Sequence, residues 1–218
     1  VRKDEPKNGD SKNAQAFNLF AFLLPGMAGM FLLFLAGNAM TDLHRELRFR
    51  TFERYHTLQQ QLFPFVAGKF VFAVVVLLIC SAIMFGGGGL IFRIHWQQPV
   101  ALVTLVFTYA CFAAAVMAVL VALMPDERRS GALTTSISML LGIAGGCAFS
   151  PQQLPAFLRE HITPLLPSYW FVDTLRNVEF GWNPAWILVA LKLIALSVVL
   201  IALAAFLFRR QFGKGLRA

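Results

Sequence analysis

Four residues able to ligate a metal or move a proton fall within one short stretch: His44, Glu46, Glu53 and His56. Imidazoles and carboxylates this close would suit zinc hydrolysis or acid–base work, but the spacing is wrong for it. An H-E-x-x-H helix sets two histidines one turn apart around a glutamate, whereas arginines interleave here and no such motif occurs. Asp126 and Glu127 form a carboxylate pair, yet Arg128 and Arg129 follow directly, as in a solvated turn. Cys80, Cys111 and Cys147 show no CxxC or Cys/His ligand spacing and lie in apolar runs, where a thiol behaves as a small hydrophobe. Gly213-Lys214-Gly215 lacks the phosphate-cradling loop of a nucleotide site. Lys192 is the one cation well inside an apolar run. A charge there marks a pathway for substrate, or a side chain that snorkels roughly 9 Å along its helix to the interface. No constellation for catalysis emerges, and no cofactor is expected on this chain.

The elements that carry these residues are set by composition. The chain has 218 residues, 58% of them hydrophobic and only 14% charged, with a mean hydropathy of +0.66. Soluble domains carry about a quarter charged residues, so the deficit indicates an all-α integral membrane protein. The net charge of +8 does not indicate nucleic acid, because the basic residues sit in short clusters beside apolar runs.

Five apolar segments reach or approach the length of about 20 residues that a helix needs to cross a bilayer. They are Phe17–Met40, Phe63–Phe92, Val100–Met124, Gly131–Phe149 and Trp186–Phe208. Gly86–Gly89 would break the second, end it, or permit close helix contact. Residues 1–16 form a polar tail, and 17–218 the transmembrane domain. Ten Lys and Arg residues fall in the connections after the first, third and fifth spans. The opposite side holds Arg93, Arg159 and Arg176, plus four basic residues in the tail. By the positive-inside rule the ten-rich side is cytoplasmic, which puts the N-terminus outside and the C-terminus inside.

Two connections are unusual. Between the fourth and fifth spans run about 35 outward-facing residues, punctuated by Pro151, Pro155, Pro164, Pro167 and Pro184. Within them Phe171, Leu175 and Val178 share a helical face, so short interfacial or re-entrant helices are expected. Tyr169, Trp170, Trp182 and Trp186 suit an aromatic belt. Between the first and second spans, Phe49, Phe52, Tyr55, Leu58 and Leu62 recur at helical spacing among Arg48, Arg50, Glu53 and Arg54. Such an amphipathic segment is either a topological anchor or a surface helix that meets a soluble partner.

The order of these features resembles the ABC transporter type-2 permease family. There a span ends in R-E-x-E-x-G-T-L-E-x-L and is followed by a short coupling helix and a Gly-Lys pair. This chain has Arg45-Glu46, Thr51-Phe52-Glu53-Arg54 and Gly68-Lys69. Pro25-Gly26-Met27 is similar to the family's opening of the preceding span. Gly145, Gly146, Phe149, Leu154, Pro155, Pro167, Trp170, Leu175 and Arg176 fall on its G-G-x-x-F-P-x-x-x-L-P, Pro-aromatic and L-R positions. Arg50 replaces the usual Gly, and Ser150 precedes the Pro.

The resemblance implies a permease subunit of an ATP-driven exporter in a bacterial cytoplasmic membrane. It would work as a homodimer or heterodimer, with ATP and Mg held by a separate ATP-binding cassette subunit. Arg45, Glu46, Phe49, Thr51, Phe52, Glu53, Arg54 and Tyr55 would couple to that subunit. Phe149, Pro155, Pro167, Trp170 and Arg176 would form an outer gate, with Lys192 beside the pathway. Full-length members carry a further N-terminal span and often an extracytoplasmic domain, of which the polar tail would be the end. The competing readings are a non-transporting scaffold or sensor module, a secondary transporter and an intramembrane enzyme.

Overall fold

The computed structural model describes residues 8–48, 62–92, 96–124, 126–148, 155–180 and 185–215. They form helices α1 (Asn8–Arg48), α2 (Leu62–Phe92), α3 (Pro99–Leu123), α4 (Glu127–Ala144), α5 (Pro167–Phe180) and α6 (Trp186–Gly215). A π-helical turn at Leu158–Ile162 and a 3-10 turn at Thr163–Leu165 lead into α5. There is no strand among the described residues, so the fold is all-α and polytopic. Four helices are long and apolar enough to cross a membrane, at Leu23–Leu43, Val66–Ile91, Pro99–Leu123 and Trp186–Phe208.

The segment expected as the fourth of five spans, Gly131–Phe149, behaves differently. Its helix α4 starts earlier, at Glu127, and ends at Ala144 after 18 residues. That gives roughly 27 Å of axis, with charged residues in the first turn and hydroxyls along its length. At the chain's start α1 reaches back to Asn8, through residues expected to be tail, and its apolar part begins at Leu23. It also continues through Arg48, so Arg45 and Glu46 belong to its last turns.

Local chemistry explains the boundaries. Pro99 opens α3, where a missing N–H costs nothing, and Met124 leaves it in an extended conformation ahead of the next proline. Gly146 ends α4 with φ 70°, a left-handed conformation that a side chain disfavours. The Cys147 N–H then donates to the Gly142 carbonyl at 2.9 Å and the Gly146 N–H to Ile143 at 3.1 Å, the paired bonds of a Schellman cap. Leu166 is extended immediately before Pro167, which opens α5.

Helix α3 is the centre of the bundle, with 78% of its most apolar window buried against 28% for the α2 window and 22% for the α6 window. Ala110, Ala113, Ala114, Ala115, Ala118 and Ala122 keep α3 thin, so that α1, α2 and α6 approach closely. Small residues do this work in membranes because lipid leaves little hydrophobic drive between helices. The outer faces of α2 and α6 expose Val71, Phe72, Ile79, Ile83, Leu191, Val198 and Phe206, as lipid-facing helices should. The glycine run does not break α2. Gly88 alone among Gly86, Gly87 and Gly88 makes a close approach, where an added Cβ would lie 3.2 Å from Leu24.

Candidate functional site

Three segments far apart in sequence meet at one end of the bundle: the Pro25-Gly26 turn of α1, the Gly145–Cys147 end of α4, and the face of α5 that carries Arg176. A Cβ on Gly26 would strike the Cys147 carbonyl oxygen and stand 3.1 Å from an Arg176 guanidinium nitrogen. A Cβ on Gly145 would collide with Ser168 Oγ. Gly29 touches Cys147 Sγ, Phe171 and Val172, each 3.4 Å from where its Cβ would be. These glycines are therefore contact surfaces, and their requirement is for space.

The contacts are locked by polar and aromatic groups. Ser168 Oγ donates to the Leu141 carbonyl at 2.9 Å, and Thr163 Oγ1 to the Ala144 carbonyl at 2.9 Å. Thr163 thus supplies a donor to a carbonyl in the last turn of α4, and Ser168, in the first turn of α5, adds a second donor to the Leu141 carbonyl, which already accepts the Gly145 N–H at 2.9 Å. Tyr109 of α3 stacks on Phe171 with ring centroids 4.1 Å apart, and its hydroxyl donates to the Gly29 carbonyl at 3.2 Å. The expected apolar face of α5 is buried: Phe171, Leu175 and Val178, with Val172 beside them.

Of the residues expected to form an outer gate, Pro167, Trp170 and Arg176 lie in α5, and Pro155 is exposed ahead of the π-helical turn. Phe149 lies outside the described residues. Trp170 Nε1 donates to the Pro164 carbonyl at 2.7 Å, and Lys192 Nζ sits 5.5 Å from the Trp170 ring centroid. Lys192 therefore points toward the same end of the bundle, over an aromatic face that attracts a cation. Tyr169, Asp173 and Arg176 form the polar side of α5 at spacings of four and three residues. Burial pushes the Tyr169 phenol up; Asp173 adds to the rise and Arg176 opposes it. Burial pulls the Arg176 guanidinium down from its ordinary value, yet so strong a base keeps its charge. Arg176 can hold an anion or an acceptor, but it cannot exchange protons at neutral pH. Among the described residues no three of His, Cys, Asp and Glu gather as a metal site.

A second feature is the division of α4 into two unlike faces. Ser130, Thr134, Ser138 and Gly142 are buried, one turn apart, against α1. Thr134 donates back to Ser130 and Gly131, while a Cβ on Gly37 would stand 3.2 Å from it. The Thr41, Ser130 and Ser138 hydroxyls are buried there with no hydrogen-bond partner. The opposite face exposes Arg129, Ala132, Thr135, Ser136, Met139 and Leu140. Of the four hydroxyls at 134–138, Thr134 and Ser138 pack inward and Thr135 and Ser136 turn outward.

Of the expected coupling residues, Arg45 and Glu46 lie in α1, and Phe49, Thr51, Phe52, Glu53, Arg54 and Tyr55 lie outside the described residues. A family model described as an ABC-2 family transporter protein matches residues 3–208 of the chain. No curated protein and no solved structure matches it.

Proposed function

Because the chain belongs to the ABC-2 transporter family, we propose that it is the permease half of an ATP-driven exporter, passing substrate between two permease copies. The coarser statement needs no proposal. This is a multi-pass membrane protein and the membrane component of an ABC transporter, a component that is not itself catalytic.

The observation that carries the finer reading is the outward face of α4. Thr135 and Ser136 are exposed on a bundle whose α2 and α6 surfaces are greasy. Hydroxyls aimed at lipid gain nothing, so this face suits a second copy with a wet pathway between the two. In that arrangement α5 and its turns close the outer end, with Arg176 and Trp170 at the mouth. The C-terminal end of α1 is at the opposite end, and the segment that starts there, with Arg45, Glu46, Phe49, Thr51, Phe52, Glu53, Arg54 and Tyr55, would dock on an ATP-binding cassette subunit in the cytoplasm. Closure of the nucleotide sites would then tilt α1 as a rigid lever, because α1 runs from that loop to the Pro25-Gly26 contact with the gate. In this reading the N-terminus is outside, the C-terminus is inside and the membrane is a bacterial cytoplasmic membrane, as the positive-inside count suggests.

Cross-linking tests this arrangement. In the full protein with Cys80, Cys111 and Cys147 replaced, Ser136→Cys should give a disulfide-linked dimer under mild oxidation in membranes. Val75→Cys, on the lipid face of α2, should not. A dimer through Val75→Cys and none through Ser136→Cys would refute the pathway face.

A further inference from the structure

Helix α4 rests chiefly on α1, and the seam between them is built from small and hydroxylated residues. On α4 it carries Ser130, Thr134, Ser138 and Gly142, each buried; on α1 the facing positions include Met30, Gly37 and Thr41. Hydroxyls inside membrane helices ordinarily bond back to their own backbone, as those of Thr134, Ser81 and Ser197 do here. The buried Thr41, Ser130 and Ser138 hydroxyls do not, and they have no other partner. The closed seam thus keeps dry three polar groups that another arrangement would satisfy. We propose that α4 pivots on its Gly145–Cys147 end, so that its other half parts from α1 and water enters the seam to meet Thr41, Ser130 and Ser138.

The tightness of the contacts sets the direction of movement. At the end near Gly26 the helices interlock: a Cβ on Gly26 would strike the Cys147 carbonyl, and one on Gly142 would stand 3.1 Å from Met30. Midway, a Cβ on Gly37 would lie 3.2 Å from Thr134; at Gly131 the corresponding distance to Thr41 widens to 3.9 Å. Contact therefore slackens from the Gly26 end toward the start of α4. The Thr163 and Ser168 hydroxyls add ties at the tight end. A seam that can hardly take a methyl group at Gly37 has no room for water there, so hydration requires the helices to part. The surroundings select water as what enters. Ser130 follows Arg129, which pairs with Asp126 at 3.4 Å with both side chains largely exposed, so the slack end of the seam begins at a polar boundary. Lipid would leave the three hydroxyls as bare as the closed seam does, whereas a water can offer each a hydrogen bond. The pivot needs neither a second copy nor an ATP-binding subunit, so it stands apart from the pathway reading above.

Thiol labelling of the full protein in membranes tests it, with a water-soluble maleimide and a single cysteine in each variant. Ser130→Cys and Ser138→Cys are close in shape to the native side chains, and Cys147, retained alone, reports on the pivot end, where the thiol is also buried. Ser130→Cys should label about tenfold faster than Cys147, with Ser138→Cys between them, because the seam opens locally while the pivot end opens only with the whole bundle. Ser138→Ala, added to Ser130→Cys, removes a hydroxyl that parting would satisfy and should slow the labelling about fivefold. A Ser130→Cys rate no faster than that of Cys147 would overturn the proposal. So would a rate that Ser138→Ala leaves unchanged or raises. Should Ser130→Cys not fold, the comparison of Ser138→Cys with Cys147 decides in the same way: faster labelling supports the pivot, and equal rates overturn it.

Discussion

At the scale of single residues, the structure turns motif letters into steric requirements whose signs can be measured. Gly26→Ala must push the Cys147 carbonyl aside, and overpacking of this kind costs about 1–3 kcal/mol. Gly86→Ala, with nothing within 4 Å of the new methyl, should be neutral or stabilising by up to about 1 kcal/mol. Thermal melting of the two purified variants should therefore move in opposite directions, or only for Gly26. Tyr109 offers a second contrast. Tyr109→Phe keeps the stack on Phe171 and loses one hydrogen bond, at about 1 kcal/mol, whereas Tyr109→Ala should cost about 3–5 kcal/mol. Ser138→Ala removes a buried hydroxyl that has no partner, and should raise the melting temperature.

At the scale of elements, the hydroxyl ties between α4 and the outer turns should behave as a local latch. Ser168→Ala deletes the donor to Leu141, so hydrogen exchange should quicken across residues 155–180 by about fivefold and stay unchanged in α3. This scale also shows how far the sequence could be read. Uniform greasiness marked α2, α3 and α6 with little ambiguity, because lipid and core demand the same side chains. The period of Phe171, Leu175 and Val178 gave the buried face of α5, since an interfacial helix has only one apolar side. Helix α4 was harder: its serines and threonines dilute the apolar signal, and only packing on α1 reveals which hydroxyls face inward. The contact between Gly26, Cys147 and Arg176 was legible as three separate motifs but not as one site, because nothing local records a meeting across 150 residues.

At the scale of the whole molecule, the account assigns opposite ends of one bundle to opposite tasks. In this account the gate is formed by α5, the Pro25-Gly26 stretch of α1 and the end of α4, and the C-terminal end of α1, which leads to the proposed drive loop, lies about 33 Å of helix axis away. A rigid α1 joins them, and the outward face of α4 is the surface the second copy would meet. The scaffold and sensor readings need none of this connection; transport driven by a partner's ATP hydrolysis needs all of it. The most direct test is the ATPase rate of the full protein reconstituted in proteoliposomes with its ATP-binding cassette subunit. The account predicts a stable complex whose ATP turnover falls about tenfold in the Phe52→Ala, Glu53→Ala double variant, a loss of about 1.4 kcal/mol of coupling, with the bundle still folded. Failure of the two proteins to associate, or a turnover that the double substitution leaves unchanged, would contradict it.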